Sequence, residues 1–316
     1  MEMKIKLGVS ACLLGEKVRY DGGHKHDRYI TDILGRYVEY VPVCPEVEAG
    51  FGIPRETMHL EGDLNAPRLV TRKTKRDLTE PMLQWAKRRV VELEAEDLRG
   101  FIFKSRSPSS GMERISVFNE KGMPVKKGVG LFARTFMDHF PLLPVEEEGR
   151  LNDPKLRENF IESVFVFKRW RECLSRGKSR RDLIDFHTKH KLLILSHSPK
   201  HYQMMGRRLG QAKTLPLDEL YDTYQHLLVE ALRLKTTIKK NANVLQHMMG
   251  YFKKELSSDE KQELIEVINL YRDVNVPLIV PMTLMNHYIR KYDQLYLKEQ
   301  YFLQPHPIEL QLRNHA

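Results

Sequence analysis

Three short apolar runs in the first 110 residues constrain this chain most, because each ends in a loop of small, chemically capable side chains. Lys4–Cys12, Tyr37–Cys44 and Gly100–Lys104 are rich in Val, Ile, Phe and Tyr and are punctuated by Gly or Pro, the pattern of strands. They lead into Ser10-Ala-Cys-Leu-Leu-Gly15, Pro42-Val-Cys-Pro-Glu46 and Lys104-Ser-Arg-Ser-Pro-Ser-Ser-Gly111. Between the second and third runs, Asp77–Leu98 repeats apolar residues at roughly the helical period, with Thr79 as the N-cap and Pro81 in the first turn. Strands separated by a helix predict a parallel sheet in an α/β layer fold. Ligands of open α/β sheets bind beyond the carboxyl ends of the strands. The three loops are therefore expected to converge on one site.

The texture changes after a polar bridge, Leu143-Pro-Val-Glu-Glu-Glu-Gly-Arg-Leu-Asn-Asp-Pro154, in which three consecutive acids lie between prolines. Beyond it helical periodicity dominates. Leu156–Leu174, Arg180–Leu195, Leu217–Lys239, Ala242–Leu256, Ser258–Arg272 and Thr283–Tyr292 read as helices, and Tyr301–Pro307 as an extended tail packed on the surface. Ser258 with Lys261 lacks a full capping box. The expected organisation is an α/β domain over 1–143, a linker over 144–155 and a mainly α-helical domain over 156–316.

The 316 residues suit two ordinary domains, and a composition of 41% hydrophobic and 30% charged residues is globular. No apolar run reaches membrane-spanning length, and the start lacks the apolar core of a signal peptide. Three cysteines, Cys12, Cys44 and Cys173, are too few and odd in number for a disulfide framework. A reducing, cytoplasmic setting with no disulfide partner and no membrane is expected. The net charge is +10, and residues 151–316 hold 27 Lys and Arg against 19 Asp and Glu, so most of the surplus lies there. That asymmetry suits either a polyanion partner or plain solubility.

On residues alone, Cys12 and Cys44 read either as buried core thiols or as parts of a shared ligand site. Their context then adds a resemblance. Val9-Ser-Ala-Cys-Leu-Leu-Gly15, Val18-Arg-Tyr-Asp-Gly-Gly23, Pro42-Val-Cys-Pro-Glu46 and Lys104–Gly111 resemble the motifs of the thiouracil desulfurases. The second half resembles the helical YbgA domain in Glu146–Asp153, Phe186–Lys191, Asn243–His247 and Pro277–Pro281. The fused form is similar to proteins that remove sulfur from 4-thiouridine in tRNA. The resemblance implies a [4Fe–4S] cluster on three cysteines, whose open iron polarises the carbon–sulfur bond of the substrate. Cys12 and Cys44 match two of those ligands. At the third the family has cysteine and this chain has Ser110, a hard donor and a poor substitute for thiolate. Activity and cluster loading of this chain are thereby put in question.

Other roles follow from that resemblance. Glu46 is expected to activate water, Asp21 to hold or protonate the base, and Ser107 and Ser105 to donate hydrogen bonds. Ser10, Lys104 and Arg55 are expected at the substrate. Without the resemblance, Glu46 reads equally as a surface glutamate, Asp21 as an Asp-Gly turn residue, the serines as loop caps, and Lys104 and Arg55 as solvated surface groups. For RNA, the expected contacts are Lys168, Arg169, Arg176, Lys178, Arg180 and Arg181, interleaved with Trp170, Phe186 and histidines. The alternative there is a solvated helix face. The leading functional expectation is a desulfidase acting on 4-thiouridine in tRNA. The rivals are an enzyme for free thiouracil or its nucleotide and a non-catalytic RNA-binding protein.

Overall fold

The computed structural model describes residues 5–314, so Lys4, the first residue of the first run, lies outside the described residues. Two compact units divide between Asn152 and Asp153. The first contains β1 (Ile5–Ser10), β2 (Val38–Val43), α1 (Pro45–Glu48), β3 (Met58–Gly62), β4 (Pro67–Thr71) and α2 (Thr79–Glu94). It continues with β5 (Phe101–Phe103), β6 (Ile115–Phe118), β7 (Pro124–Gly128), α3 (Leu131–His139) and β8 (Val145–Glu147).

The three expected runs are strands of one parallel sheet, ordered β2-β1-β5-β8. Leu7 and Val9 of β1 and all of β5 are buried, as in a parallel sheet covered on both faces. Gly8 is required where these strands meet, since a Cβ there would lie 2.2 Å from the Phe101 ring. Phe101, Phe103, Trp85 of α2, and Phe132 and Phe136 of α3 form one aromatic cluster, with Trp85 and Phe132 ring centres 5.2 Å apart. Each such ring buries a large apolar area, so this cluster is the main adhesive of the sheet and its helices. Because Ser10 pairs with Val43, the chain leaves β1 and β2 at the same edge, and Cys12 and Cys44 follow at once.

Three features depart from the sequence reading. A second sheet, β4-β3-β6-β7, is antiparallel except for the parallel β3–β6 pair and had no counterpart among the expected strands. Part of the expected linker, Val145–Glu147, is the fourth strand of the parallel sheet. Its acids are tolerated inside because they are paired: Glu146 accepts from Arg150 Nε at 2.6 Å and Glu147 from the Met112 amide at 2.8 Å. Finally, α2 has Leu78 in the cap position, and the Thr79 hydroxyl instead accepts the Leu69 amide at 2.8 Å.

The second unit is helical: α4 (Pro154–Ser175), α5 (Arg180–His197), α6 (Pro199–Gly210), α7 (Leu217–Arg233), α8 (Ile238–Met249), α9 (Ser258–Arg272), α10 (Ile279–Lys291) and α11 (Leu295–Lys298). The α6 segment was not anticipated. The expected Leu217–Lys239 helix breaks at Leu234, which turns extended, and α8 restarts with Thr237 capping the Lys240 amide. At α9 the cap is Ser257, one residue earlier than assumed, and with Glu260 it forms a complete capping box. Pro281 is accommodated in the first turn of α10, where its missing amide costs little. In the tail segment, Phe302 is fully buried.

A sealed ionic cluster sits in this unit. Glu162 of α4 faces His197 Nε2 at 2.6 Å and accepts from Arg313 Nη2 at 3.0 Å, while Arg313 Nε reaches Glu158 at 2.9 Å. The other ring nitrogen of His197 meets the Leu234 carbonyl at 2.7 Å. Among the described residues no helix is long and apolar enough to cross a membrane.

Candidate active site

At the carboxyl edge of the parallel sheet the first unit encloses a cavity of about 790 Å³. Ser10 and Cys12 from the end of β1, Cys44 and Glu46 from the end of β2, and Lys104, Ser107 and Ser110 after β5 line it together. This is the convergence that strand order predicts. Ser105 and Arg55 also line it. Asp21 does not. It is exposed, accepts its own turn's Gly23 amide at 3.0 Å and lies 3.6 Å from Arg19.

The serine loop is fixed by the start of α3. The amides of Phe132 and Ala133 donate to the Ser109 carbonyl at 3.0 and 3.1 Å, and the Gly130 amide to the Gly111 carbonyl at 2.7 Å. These are helix-start amides that otherwise lack partners. Gly130 must lack a side chain, because a Cβ would come within 2.5 Å of the Ser109 carbonyl.

Glu46 is the hub of the polar wall. One of its carboxylate oxygens takes the Arg55 guanidinium, through Nε at 3.0 Å and through Nη2. The other accepts from Ser109 Oγ at 2.8 Å and lies 3.5 Å from Ser107 Oγ. Arg55 is itself anchored on the Val18 carbonyl at 3.0 Å. Ser107 Oγ accepts the Ser110 amide at 3.1 Å. On the opposite side, Ser10 Oγ accepts the Lys104 amide at 2.9 Å. The Lys104 ammonium binds Glu148, which also takes the Ser105 amide at 2.6 Å and the Ser105 hydroxyl at 2.8 Å.

Both thiols are held protonated. Burial pushes the Cys12 thiol up to about 11, opposed by the Lys104 ammonium and reinforced by Cys44. Burial also raises Cys44, whose sulfur donates to the Val18 carbonyl at 3.8 Å. A metal bound here must displace those protons.

Sequence reasoning missed Ser109 and Glu148. Ser109 stands inside the quoted serine motif, whereas Glu148 is the last of three acids in the expected linker. The expected RNA set is dispersed. Arg169 is turned inward, with Nε on His190 at 2.9 Å, Nη1 on the Pro305 carbonyl at 2.9 Å and its guanidinium carbon 4.0 Å from the Tyr301 ring centre. Arg180 donates to the Ala212 and Leu215 carbonyls at 2.7 and 2.8 Å. Lys178 pairs with Asp218, and Lys168 lies 3.6 Å from Glu172. Arg176 and Arg181 are exposed. Trp170, Phe186, His187, His190 and His197 are all buried and form part of the core, so they present no stacking face to RNA.

The cluster that the resemblance implies would need three thiolates at this cavity. The cavity supplies two thiols and the buried Ser110 hydroxyl, and Cys173 lies in the other unit with its sulfur on the Asp182 carbonyl. Among the described residues no three His, Cys, Asp or Glu side chains are grouped to hold a metal. A [4Fe–4S] cluster asks for thiolates, and these residues do not fit one held by three of them.

Fold and cavity thus define a two-domain protein with an α/β unit, carrying a thiol- and serine-lined cavity at its strand ends, and a helical unit. Comparison with known proteins narrows the class. The 2-thiouracil desulfurase family matches residues 7–148, and a family described as a protein of unknown function (DUF1722) matches residues 191–307. An uncharacterized protein of Bacillus subtilis (strain 168), YbbK, is 30% identical over 108 residues, 33% of this chain and 71% of its own length. Another from Escherichia coli (strain K12), YbgA, is 27% identical over 165 residues, 52% of this chain and 98% of its own. The solved structure of a [4Fe–4S]-dependent thiouracil desulfidase, TudS, is 31% identical over 48% of this chain and 95% of that one, with a TM-score of 0.40. The chain belongs to the thiouracil desulfurase family through its first unit and carries a YbgA-like DUF1722 unit after it.

Proposed function

We propose that the first unit binds a thiolated uracil in the cavity and exchanges its sulfur for oxygen, the substrate being 4-thiouridine in cytoplasmic tRNA. The carrying observation is the Glu46 carboxylate fixed by Arg55 in the same cavity as Cys12 and Cys44. In this reading Glu46 takes a proton from water, and the water oxygen bonds to the ring carbon that bears sulfur. The carbon–sulfur bond then breaks. Sulfur leaves as hydrogen sulfide, the ring keeps a carbonyl oxygen, and no electrons are gained or lost. Ser107 and Ser105 orient the base by hydrogen bonds, and Ser10 holds the Lys104 backbone at the edge. The exposed Arg176 and Arg181 are the members of the basic set best placed to meet RNA phosphates.

The donor set bounds the rate. A hydroxyl in place of the third thiolate is expected to hold an iron–sulfur cluster weakly or not at all. Ser110 therefore favours a second reading, a protein that recognises thiolated RNA without turnover. Anaerobic reconstitution of this chain beside Ser110→Cys, with iron counting and sulfide release from 4-thiouridine-containing tRNA, tests both. Loading and sulfide release that appear only with Ser110→Cys support the proposal. Full loading of the unaltered chain would show the hard-donor argument to be wrong. A loaded Ser110→Cys protein that releases no sulfide would end the desulfidase reading.

A further inference from the structure

The cavity of the candidate site does not end at its own wall. A neighbouring cavity of about 650 Å³ shares Met58, Arg72, Ser105 and Arg106 with it. That one shares His59, Arg72 and Phe118 with a third, of about 730 Å³, along the second sheet. Arg72 lines all three, so they form one continuous groove within the first unit.

The charges along this groove are unequal in availability. Its carboxylates are mostly engaged: Glu61 with Arg68 at 2.7 Å, Glu113 with Arg150 at 2.8 Å, and Glu56 with the Thr74 amide and hydroxyl at 2.9 and 2.7 Å. Glu120 stands exposed beside the third cavity. Arg72, Lys75, Arg106 and Lys126 are exposed, and among the described residues no carboxylate pairs with them. Arg106 is held at a left-handed φ of 58°, a costly backbone for a residue with a side chain. The serine loop keeps that strain at the mouth where two cavities join. Half-buried Phe118 lies edge-to-face with His59 at 5.3 Å, with the Arg72 guanidinium 5.9 Å from its ring centre.

Unpaired cations at intervals along a groove, with an aromatic face between them, are what a single nucleic-acid strand requires. We propose that this groove carries the RNA flanking the base that enters the site cavity. Phosphates lie on Arg72, Arg106, Lys75 and Lys126, and a neighbouring base stacks on Phe118. The inference rests on the reading that the substrate base is presented within RNA, and it moves the main phosphate contacts from the helical unit to the α/β unit.

Two ligands separate the inference from its premise: unmodified fluorescent oligouridylate, titrated at several salt concentrations, and free 4-thiouridine. Lys75→Ala with Lys126→Ala, both outside the site cavity, should flatten the log–log salt slope for oligouridylate by about 1.4, at about 0.7 per lost single-strand contact. Binding of free 4-thiouridine should not change. Arg72→Ala with Arg106→Ala should flatten the slope similarly. An unchanged slope and affinity in both double variants overturns the groove, even where free 4-thiouridine still binds. Flattened slopes in a protein that ignores free 4-thiouridine would keep the groove and remove the thiolated-base reading.

Discussion

Glu46 with Arg55 in the first unit and Glu162 with Arg313 in the second are both acid–guanidinium pairs, yet they sit in opposite settings. The first lines an open cavity and shares its carboxylate with Ser109. In the second the Glu162 carboxylate is sealed among Glu158, His197 and Arg313. Net charge therefore does not report where unpaired cations lie. The helical unit holds most of the surplus positive charge but spends Arg169, Arg180 and Arg313 internally. The α/β unit is nearly neutral but leaves a row of cations free.

The sharpest contrast is in stability. Arg313→Ala should cost about 3–5 kcal/mol, because it removes the guanidinium that two buried carboxylates share. A chemical-denaturation loss below about 1 kcal/mol would mean that the cluster is not sealed. Acid should weaken the same cluster. Burial raises the Glu162 carboxyl, but the His197 hydrogen bond and charge, with Arg313, outweigh it and hold it down to about 2. With the folded value below the unfolded one, the Glu162 contribution is complete above about 4.5 and is lost as pH falls towards 2, whereas Glu158, pushed up to about 7 chiefly by burial, contributes in the opposite direction, its share declining as pH rises from 4.5 towards 7.

At the cavity the corresponding change should spare the fold. Glu46→Gln in a Ser110→Cys background should retain iron yet lose about a hundredfold in kcat, the lower range for a general base. Turnover within twofold of the parent would remove Glu46 from the chemistry and reduce it to a support for Arg55.

The smallest effect concerns the thiols. With Cys12 raised to about 11, its thiolate fraction at pH 8 is roughly a hundredfold below that of a thiol at 9, and only the thiolate is alkylated. Peptide mapping after iodoacetamide treatment of the metal-free protein should show Cys12 reacting correspondingly slowly. Since folding raises this group, native stability should also decline as pH rises from 9 towards 11. Rapid labelling at pH 8 would show that burial does not protect this sulfur.

The parallel sheet and the meeting of three loops were readable because strand order and the βα rule act locally. The second sheet was not, since Met58–Gly62 and Pro124–Gly128 mix charge, glycine and proline and form strands only through their partners. Glu46 and Ser107 stand inside the quoted motifs, whereas Arg55 lies outside them and gains its place through the pair with Glu46. Glu148 was hidden because its pairing with Lys104 spans 44 residues. Arg169 misled for the converse reason: a charge run on a helix does not say which of its members points inward. Ser257 was passed over by one position, which is the ordinary uncertainty of a helix end.

The edge strand β8 decides where this protein can be cut. Glu148 follows β8 directly and grips Lys104 and Ser105 at the cavity wall, while the boundary between the units comes four residues later. A fragment ending at residue 143 would lack both the outermost strand and that grip. Its cavity would open on one side although every motif residue was still in the chain. A fragment ending at Asn152 keeps both, so excision there is the way to learn what the α/β unit does alone.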